Sequence, residues 1–181
     1  MGFWYTSPVT NSLHALLSED HTRLEALLST ALRPDGTIDQ ESYAAFRGGL
    51  LRHIGIEERI LFAELRSRSA MSELERQLHR DHAALAALLV PPPGATEIEL
   101  IRAILRQHDP LEEGAGGLYE RVALMVGEEL QSVMTRIQAF PQIPMAPYSD
   151  TPILRRSIEQ LLREADDGRR LLAQSRRTDA P

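Results

Sequence analysis

The chain contains 181 residues, of which 43% are hydrophobic, and its net charge at pH 7 is -6. This length suits one domain with a substantial core, and the acidic balance argues against binding of nucleic acid through a basic surface. Cysteine is absent, so disulfides, thiolate ligands and a cysteine nucleophile are excluded. No apolar run approaches the roughly 20 residues of a membrane span, and we expect a cytoplasmic protein without a membrane partner.

The composition predicts an all-α fold. Aromatic residues make up only 5% of the chain, and runs rich in Val, Ile, Thr and Tyr are missing. Apolar residues recur in steps of three and four in four segments before residue 140, as they do in amphipathic helices. The predicted helices span approximately residues 11–32, 37–66, 72–90 and 96–140.

The fourth predicted helix contains two features that disturb helices. Pro110 lacks the N–H that would bond to the preceding turn, so we expect a kink or bulge beside His108. Residues 114–117 include three glycines, which weaken a helix further. The helix either resumes through Phe140 or gives way to a separate fifth helix that begins at Gly117.

The C-terminal part of the chain has a different composition. Residues 141–152 contain four prolines, which is typical of an extended linker. Thr151 and Pro152 favour a new helix start, and an amphipathic helix is predicted from there to about residue 176. The predicted organisation is a four-helix bundle at 1–140, a Pro-rich linker at 141–151, and an amphipathic helix with a tail at 152–181.

A two-part phrase occurs twice in the chain. Each copy reads Asp-His-x-x-Leu and, after a gap, His-x-x-x-Glu-Glu. The first copy occupies residues 20–24 and 53–58, and the second occupies residues 81–85 and 108–113. The four segments fall on the four predicted helices, one on each.

The histidines of this phrase replace apolar residues on the predicted buried faces. They are His21, His53, His82 and His108. Glu57 and Glu112 each follow a histidine by four residues, which places the pair one turn apart on the same face. Buried carboxylates are costly unless they are paired or bound to metal, and imidazole with carboxylate suits iron. The pattern predicts a metal site between four antiparallel helices, as in di-metal carboxylate bundles.

Other histidines and aromatic residues receive structural interpretations. His14 lies two turns before the first motif histidine and is interpreted as a residue at the end of the bundle. His79 is interpreted as a group behind the ligands or a partly exposed one. Tyr119 and its counterpart Phe62 are predicted to belong to the core.

The second glutamate of each motif is also open to two interpretations. Glu58 and Glu113 are interpreted as solvated or salt-bridged carboxylates, with Arg52 and Arg59 as nearby cations. This interpretation is favoured for Glu113. Ligation by Glu58, by Glu113 or by His79 is left open.

The order, spacing and helix positions of these motifs resemble the hemerythrin-like, or HHE cation-binding, family. The resemblance covers residues 11–140. It implies a four-helix up-and-down bundle around a non-haem di-iron centre, with two iron ions and an oxo or hydroxo group as an optional bridge. The nitrogen ligands that it implies are His21, His53, His82 and His108, and the bridging carboxylates are Glu57 and Glu112.

Two positions differ from the oxygen-carrying members of that family. Those members have a second histidine four residues before the position of His82, where this chain has Leu78. They also have an aspartate where this chain has Glu113. The chain is more similar to the iron-sensing F-box hemerythrin domains. Because fewer nitrogen ligands leave the irons more open, the resemblance argues against reversible oxygen carriage.

The expected function is binding or sensing of oxygen, of a small oxidant such as nitric oxide or peroxide, or of iron itself. The alternatives are a metal-dependent interaction or regulatory protein without oxygen chemistry, and a weak di-iron oxidase or peroxidase. Zinc or manganese in place of iron stays open. Residues 152–181 carry seven Arg against five acidic residues, so the last helix could dock on its own bundle, on a second copy or on a protein partner.

Overall fold

The computed structural model describes residues 10–178 and, within them, the side chains of residues 12–173. Residues 1–9 and 179–181, which the domain prediction includes, lie outside this range. Apart from one bridge between Leu32 and Ile38, the regular elements described are helices, so the all-α prediction is confirmed. They are α1 (Thr10–Ala31), α2 (Gln40–Ile56), α3 (Phe62–Arg66), α4 (Glu73–Leu88), α5 (Ala95–Glu113), α6 (Leu118–Val126), α7 (Leu130–Gln138) and α8 (Pro152–Thr178).

Capping side chains set the starts of α2 and α4. Asp39 accepts a hydrogen bond from the backbone N–H of Ser42, and Ser72 forms a reciprocal capping box with Glu75. Such caps satisfy free N–H groups in the first turn of a helix. They define where each helix begins, and therefore which residues face the interior.

The region predicted as one helix up to Phe140 forms three helices. α5 ends before the turn at 114–117, and α6 begins after it, in agreement with the alternative of a separate fifth helix. A second break at Gly127 separates α6 from α7, so the prediction of one continuous helix is wrong. Gly116 and Gly127 have φ values of 69° and 52°, in the left-handed region that glycine adopts most easily.

The bulge expected beside Pro110 is not found there, and a π-turn lies in a different helical segment. α5 remains α-helical through Pro110 to its end at Glu113, whereas the segment Glu57–Leu61 between α2 and α3 is π-helical. Single π-turns within α-helices are frequent at functional sites. Here the π-turn begins at a glutamate of the repeated motif.

α1 and α2 pack side by side in opposite directions. Leu24 of α1 lies against Gly49 of α2, where an added Cβ would be 2.7 Å from the leucine side chain. The bridge between Leu32 and Ile38 closes the connection between the two helices. α6 packs against α1 and α5, while α4 packs against α5 and α8.

Two apolar clusters fill the interior. On α1, Leu17 belongs to the first cluster and Leu24 to the second, and His21 lies between them along the helix. α4 repeats this order around His82, whereas α2, which runs in the opposite direction, has Leu50 of the second cluster before His53 and Ile56 of the first cluster after it. The polar motif side chains therefore form a layer between two apolar regions.

α8 packs along α4 of the same chain. Its residues Ile158 and Ala165 belong to the second apolar cluster, and Leu172 belongs to the first. A Cβ on Gly168 would lie 2.1 Å from Oε1 of Gln77, so the absence of a side chain permits this close approach. Among the described helices, none combines the length and apolar character needed to cross a membrane.

Candidate metal centre

Two overlapping groups of possible metal ligands lie in the polar layer. The first group is His21, His53, Glu57 and Glu112, and the second group is Glu57, His82, His108 and Glu112. Within each group, one ligand atom from every residue lies within 4.8 Å of the others. The structure thus brings together all six residues predicted as metal ligands and places the two glutamates in both groups.

Glu57 faces one histidine of each group with a different oxygen. Its Oε1 lies 3.2 Å from Nε2 of His53, one turn earlier on the same helix. Its Oε2 lies 3.2 Å from Nε2 of His82 on α4. The carboxylate therefore reaches from the first group to the second.

Glu112 makes the equivalent contacts from α5. Its Oε1 lies 2.9 Å from Nε2 of His108, one turn earlier on the same helix. Its Oε2 lies 3.3 Å from Nε2 of His21 on α1. Each of the two carboxylates therefore lies against one histidine of each group.

The buried atoms of this cluster fit a metal ion. Glu57 and Glu112 are fully buried, and Glu57 Oε2, Glu112 Oε1 and His82 Nε2 make no hydrogen bond within the described part of the chain. These atoms contact one another as ion pairs, and buried polar atoms that lack hydrogen bonds are costly. Imidazole nitrogen and carboxylate oxygen together suit iron, zinc and manganese, so these buried groups could hold a metal ion.

A carboxylate lies against the outer ring nitrogen, Nδ1, of every motif histidine. The pairs are His21 with Glu113 at 2.6 Å, His53 with Asp20 at 3.0 Å, His82 with Glu58 at 2.8 Å, and His108 with Asp81 at 3.5 Å. The first three pairs are hydrogen bonds, whereas His108 and Asp81 make an ion-pair contact without a hydrogen bond. A carboxylate at Nδ1 orients the ring and leaves Nε2 available for a metal. All four Nε2 atoms face the shared glutamates.

These outer carboxylates follow a closed order around the four motif segments. In chain order, Asp20 contacts His53, Glu58 contacts His82, Asp81 contacts His108, and Glu113 contacts His21. The acidic residue of each segment thus serves the histidine of the next, and the last segment returns to the first. Sequence reasoning recorded these acidic positions in the repeat but missed this pairing, because it depends on which helices are neighbours.

Glu113 contacts a histidine of the cluster, His21. Arg52, predicted with Arg59 as a nearby cation for Glu58 and Glu113, donates hydrogen bonds to the backbone carbonyls of Ile137 and Phe140. His14 contacts the backbone of Glu113, because its Nε2 lies 2.9 Å from the carbonyl oxygen of that residue. The salt-bridge interpretation of Glu113 therefore applies to a histidine of the cluster and not to an arginine.

Glu58 lies behind the cluster and outside both ligand groups. Its Oε1 lies 2.8 Å from Nδ1 of His82 and 2.9 Å from Nδ1 of His79. The His79 side chain is 59% exposed. This position agrees with the interpretation of His79 as a partly exposed group behind the ligands.

Tyr119 is the member of the site that sequence reasoning missed. Its ring belongs to the first apolar cluster, as predicted. Its hydroxyl donates a hydrogen bond of 2.8 Å to Glu57 and lies within 3.1–3.4 Å of atoms of Glu112, His21 and His53. The hydroxyl therefore contacts every member of the first group. No periodicity signals this contact, because a glycine turn separates Tyr119 from α5.

Charge interactions in the cluster shift several pKa values. Burial disfavours the charged form of His53, but Glu57 and Asp20 outweigh it and raise the pKa to about 10. Burial likewise opposes protonation of His108, but Glu112 and Asp81 raise its pKa to about 9. Burial and the two nearby carboxylates raise the pKa of Tyr119 well above its usual value. Without metal, His53 and His108 are therefore cations that balance the glutamates, and the phenol keeps its proton.

Comparisons of the chain with protein-family profiles, with curated proteins and with solved structures find no match. The function is therefore inferred from the two groups of possible ligands, from their outer carboxylates and from the motifs in the sequence.

Proposed function

We propose that this protein is a hemerythrin-like, non-haem di-iron protein that binds or senses oxygen, a small oxidant such as nitric oxide or peroxide, or iron itself. The observation that carries the proposal is the presence of Glu57 and Glu112 in both ligand groups. Two nearby cations repel each other, and carboxylates that face both of them offset this repulsion. A site for a single ion would not need two complete histidine pairs.

The proposal gives each ligand a role. His21 and His53 bind one ion, His82 and His108 bind the other, and Glu57 with Glu112 bridges them. Mixed nitrogen and oxygen sets of this kind leave open positions in other non-haem iron proteins. When bound, ferrous ions supply electrons and a coordination position for oxygen or nitric oxide.

The remaining residues of the site control its surroundings. The outer carboxylates orient the imidazole rings and increase their basicity, while the two apolar clusters exclude water from the polar layer. Tyr119 holds a proton on the side of His21 and His53. This phenol is placed to donate a hydrogen bond to a bridging carboxylate or to a small ligand in the first group.

The four-helix bundle is part of the same proposal. α1, α2, α4 and α5 each contribute one ligand histidine, and α1 and α2 run in opposite directions. α8 lies against the outer side of α4 and supplies no member of either ligand group. In this arrangement α8 is a fifth long helix that packs on the bundle and adds Ile158, Ala165 and Leu172 to its apolar clusters.

A regulatory protein without oxygen chemistry is the second candidate. The observation that favours it is an ion pair between Arg169 of α8 and Asp81, the carboxylate behind His108. An element outside the bundle is thereby connected to the proposed metal centre. A homodimer or protein partner would have to use the exposed face of α8, which includes Ile153 and Leu171, because Ile158, Ala165 and Leu172 are buried in the apolar clusters.

Elemental analysis of protein from iron-replete cells tests the proposal directly. We expect about two irons per chain, as in di-iron carboxylate bundles, and an absorption band in the near ultraviolet that changes on anaerobic reduction and on exposure to oxygen. Iron without an oxygen-dependent band would favour the regulatory candidate. A chain that contains no iron would overturn the di-iron proposal.

A pair of double variants tests the ligand assignment. His53→Ala with His108→Ala removes one histidine from each group, and we expect it to lose most of the iron. The matched control is His14→Ala with His79→Ala, because these histidines lie outside both groups. Retention of two irons by the first double variant would refute the assignment.

A further inference from the structure

Asp81 differs from the other outer carboxylates in how it is held. It is fully buried on α4, and its Oδ2 lies 3.5 Å from Nδ1 of His108. Its other oxygen, Oδ1, accepts hydrogen bonds from Arg169 at 2.5 Å and from Gln77 at 2.8 Å. One side of this carboxylate thus faces a ligand histidine, and the other side faces α8.

The corresponding carboxylate of the first group is held locally. Asp20, which contacts His53, accepts a hydrogen bond from Arg23, three residues later on the same helix. The Arg23 side chain is 50% exposed, whereas that of Arg169 is only 14% exposed. The carboxylate behind His53 is therefore held within its own helix, but the carboxylate behind His108 is held by an arginine 88 positions away from Asp81.

Several contacts place Arg169 at Asp81. Gln77 donates a second hydrogen bond of 3.0 Å to the carbonyl of Ala165, and Ala165 is fully buried. Arg169 also donates to Asp166 within its own helix, at 2.6 Å. Gly168 lets α8 approach α4 at this point. The guanidinium is thus oriented from both helices and reaches Asp81 only when α8 is docked.

We propose that Arg169 is a positioning residue for the metal centre, which acts on His108 through Asp81, and that docking of α8 and metal binding in the second group strengthen each other. This inference rests on the metal centre proposed above. Without Arg169, Asp81 loses the cation that neutralises it and orients its Oδ2 toward His108. Coupling between two events is reciprocal, so a metal bound through His108 stabilises the docked helix.

Arg169→Gln and its neighbour Arg170→Gln form a matched pair of variants. The Arg170 side chain is 77% exposed and is paired only weakly, at 3.4 Å, with Asp167. Both variants are titrated anaerobically with Fe²⁺ against a competing chelator. Loss of an outer partner of a metal-binding histidine lowers affinity by about 10- to 100-fold, and we expect this loss in Arg169→Gln for one of the two bound ions. Arg170→Gln is expected to match the wild type.

The number of ions that Arg169→Gln binds more weakly distinguishes a positioning role of Arg169 from a general effect on the structure. A loss confined to one ion is expected from a connection to His108 alone. Unchanged affinity in Arg169→Gln, or an equal loss at both ions, would overturn the inference while leaving the proposed di-iron centre intact. A wild-type chain that takes up no Fe²⁺ would instead refute the proposed function, and this inference with it.

Hydrogen exchange of the wild-type chain tests the reciprocal effect without any variant. The amides of residues 165–172 are compared with and without Fe²⁺ under anaerobic conditions. We expect slower exchange in the metal-bound protein, because opening of α8 would then also cost metal affinity. Identical exchange in the two states, in a chain shown to bind two irons, would contradict the coupling even if Arg169→Gln does not fold.

Discussion

The hydroxyl of Tyr119 donates a hydrogen bond of 2.8 Å to Glu57, although 62 positions separate the two residues in the chain. Glu57 begins the π-turn after α2, and Tyr119 lies in the first turn of α6. The contact joins this π-turn, which carries one of the six predicted ligands, to a helix that carries none of them. Tyr119 therefore holds the two shared carboxylates in the metal-free protein, since it also lies 3.1 Å from Glu112.

Tyr119→Phe is expected to destabilise the metal-free protein. A hydrogen bond to a charged group contributes about 1.5–3 kcal/mol, and the free energy of unfolding in urea should fall by a similar amount. Tyr43→Phe is the matched control, because the Tyr43 hydroxyl is buried and has no hydrogen-bond partner in the described structure. Its removal should be neutral or slightly stabilising. Equal effects of the two substitutions would show that the Tyr119 hydroxyl does not support the cluster.

Glu112→Gln and His108→Ala should differ in metal content. Glu112 belongs to both ligand groups, whereas His108 belongs only to the second. Loss of the shared carboxylate should therefore weaken the binding of both ions, and loss of the histidine should weaken the binding of one. Elemental analysis after gel filtration measures the ratio of metal to protein. The same residual metal content in both variants would argue against bridging by Glu112.

Metal binding at pH 7 should release protons. The pKa values of His53 and His108 in the metal-free protein are raised to about 10 and about 9, so both rings carry an extra proton at this pH. A metal ligand must be a neutral imidazole. Calorimetric titration with Fe²⁺ in buffers of different ionisation enthalpy counts these protons. Binding heats that do not depend on the buffer would contradict the prediction.

The same pKa shifts predict how the stability of the metal-free protein depends on pH. A histidine whose pKa is raised on folding stabilises the folded protein fully when the pH is below its unfolded pKa of about 6.5. This stabilisation is lost as the pH rises through the folded pKa. For His53 and His108 the loss should extend from about pH 6.5 to about pH 10. Urea unfolding across this interval measures it. A His53→Gln, His108→Gln variant should show a weaker dependence on pH.

Gly117→Ala and Gly48→Ala should change stability in opposite directions. A Cβ at Gly117 would lie 2.5 Å from the backbone oxygen of Glu112 and 2.7 Å from that of Gly114. Because backbone atoms cannot move aside cheaply, we expect a loss of about 1–3 kcal/mol and a displaced Tyr119. A Cβ at Gly48, within α2, would meet Met145 at an ordinary 3.6 Å, so alanine should stabilise that helix by about 0.5–1 kcal/mol.

The helical content and the inward direction of the motif residues could be predicted from the sequence. His53 and Glu57, like His108 and Glu112, lie four residues apart, and a helix places such residues on one face whatever its neighbours are. The apolar residues on either side of His21 and His82 indicated which face is buried. The sequence thus predicted all six residues that the structure brings together in the two ligand groups.

The histidine partners of the outer carboxylates could not be predicted from the sequence. Asp81 and Glu113 were visible in the repeated phrase, but their histidine partners lie on other helices. Neighbouring helices are selected by packing, and no local pattern encodes that selection. For the same reason the sequence suggested Arg52 as one of two cations near the second glutamates, although its guanidinium donates hydrogen bonds to backbone carbonyls.

Helix periodicity was therefore sufficient to predict the six ligand positions. The residues that share one face of a helix follow from its 3.6 residues per turn, which is a local property. Tyr119 and Arg169 could be found only in the folded chain. One reaches the cluster after a glycine turn that interrupts the periodicity, and the other reaches Asp81 because α8 docks along α4. Contacts between residues distant in sequence depend on the relative positions of whole helices, and packing of the apolar clusters sets those positions.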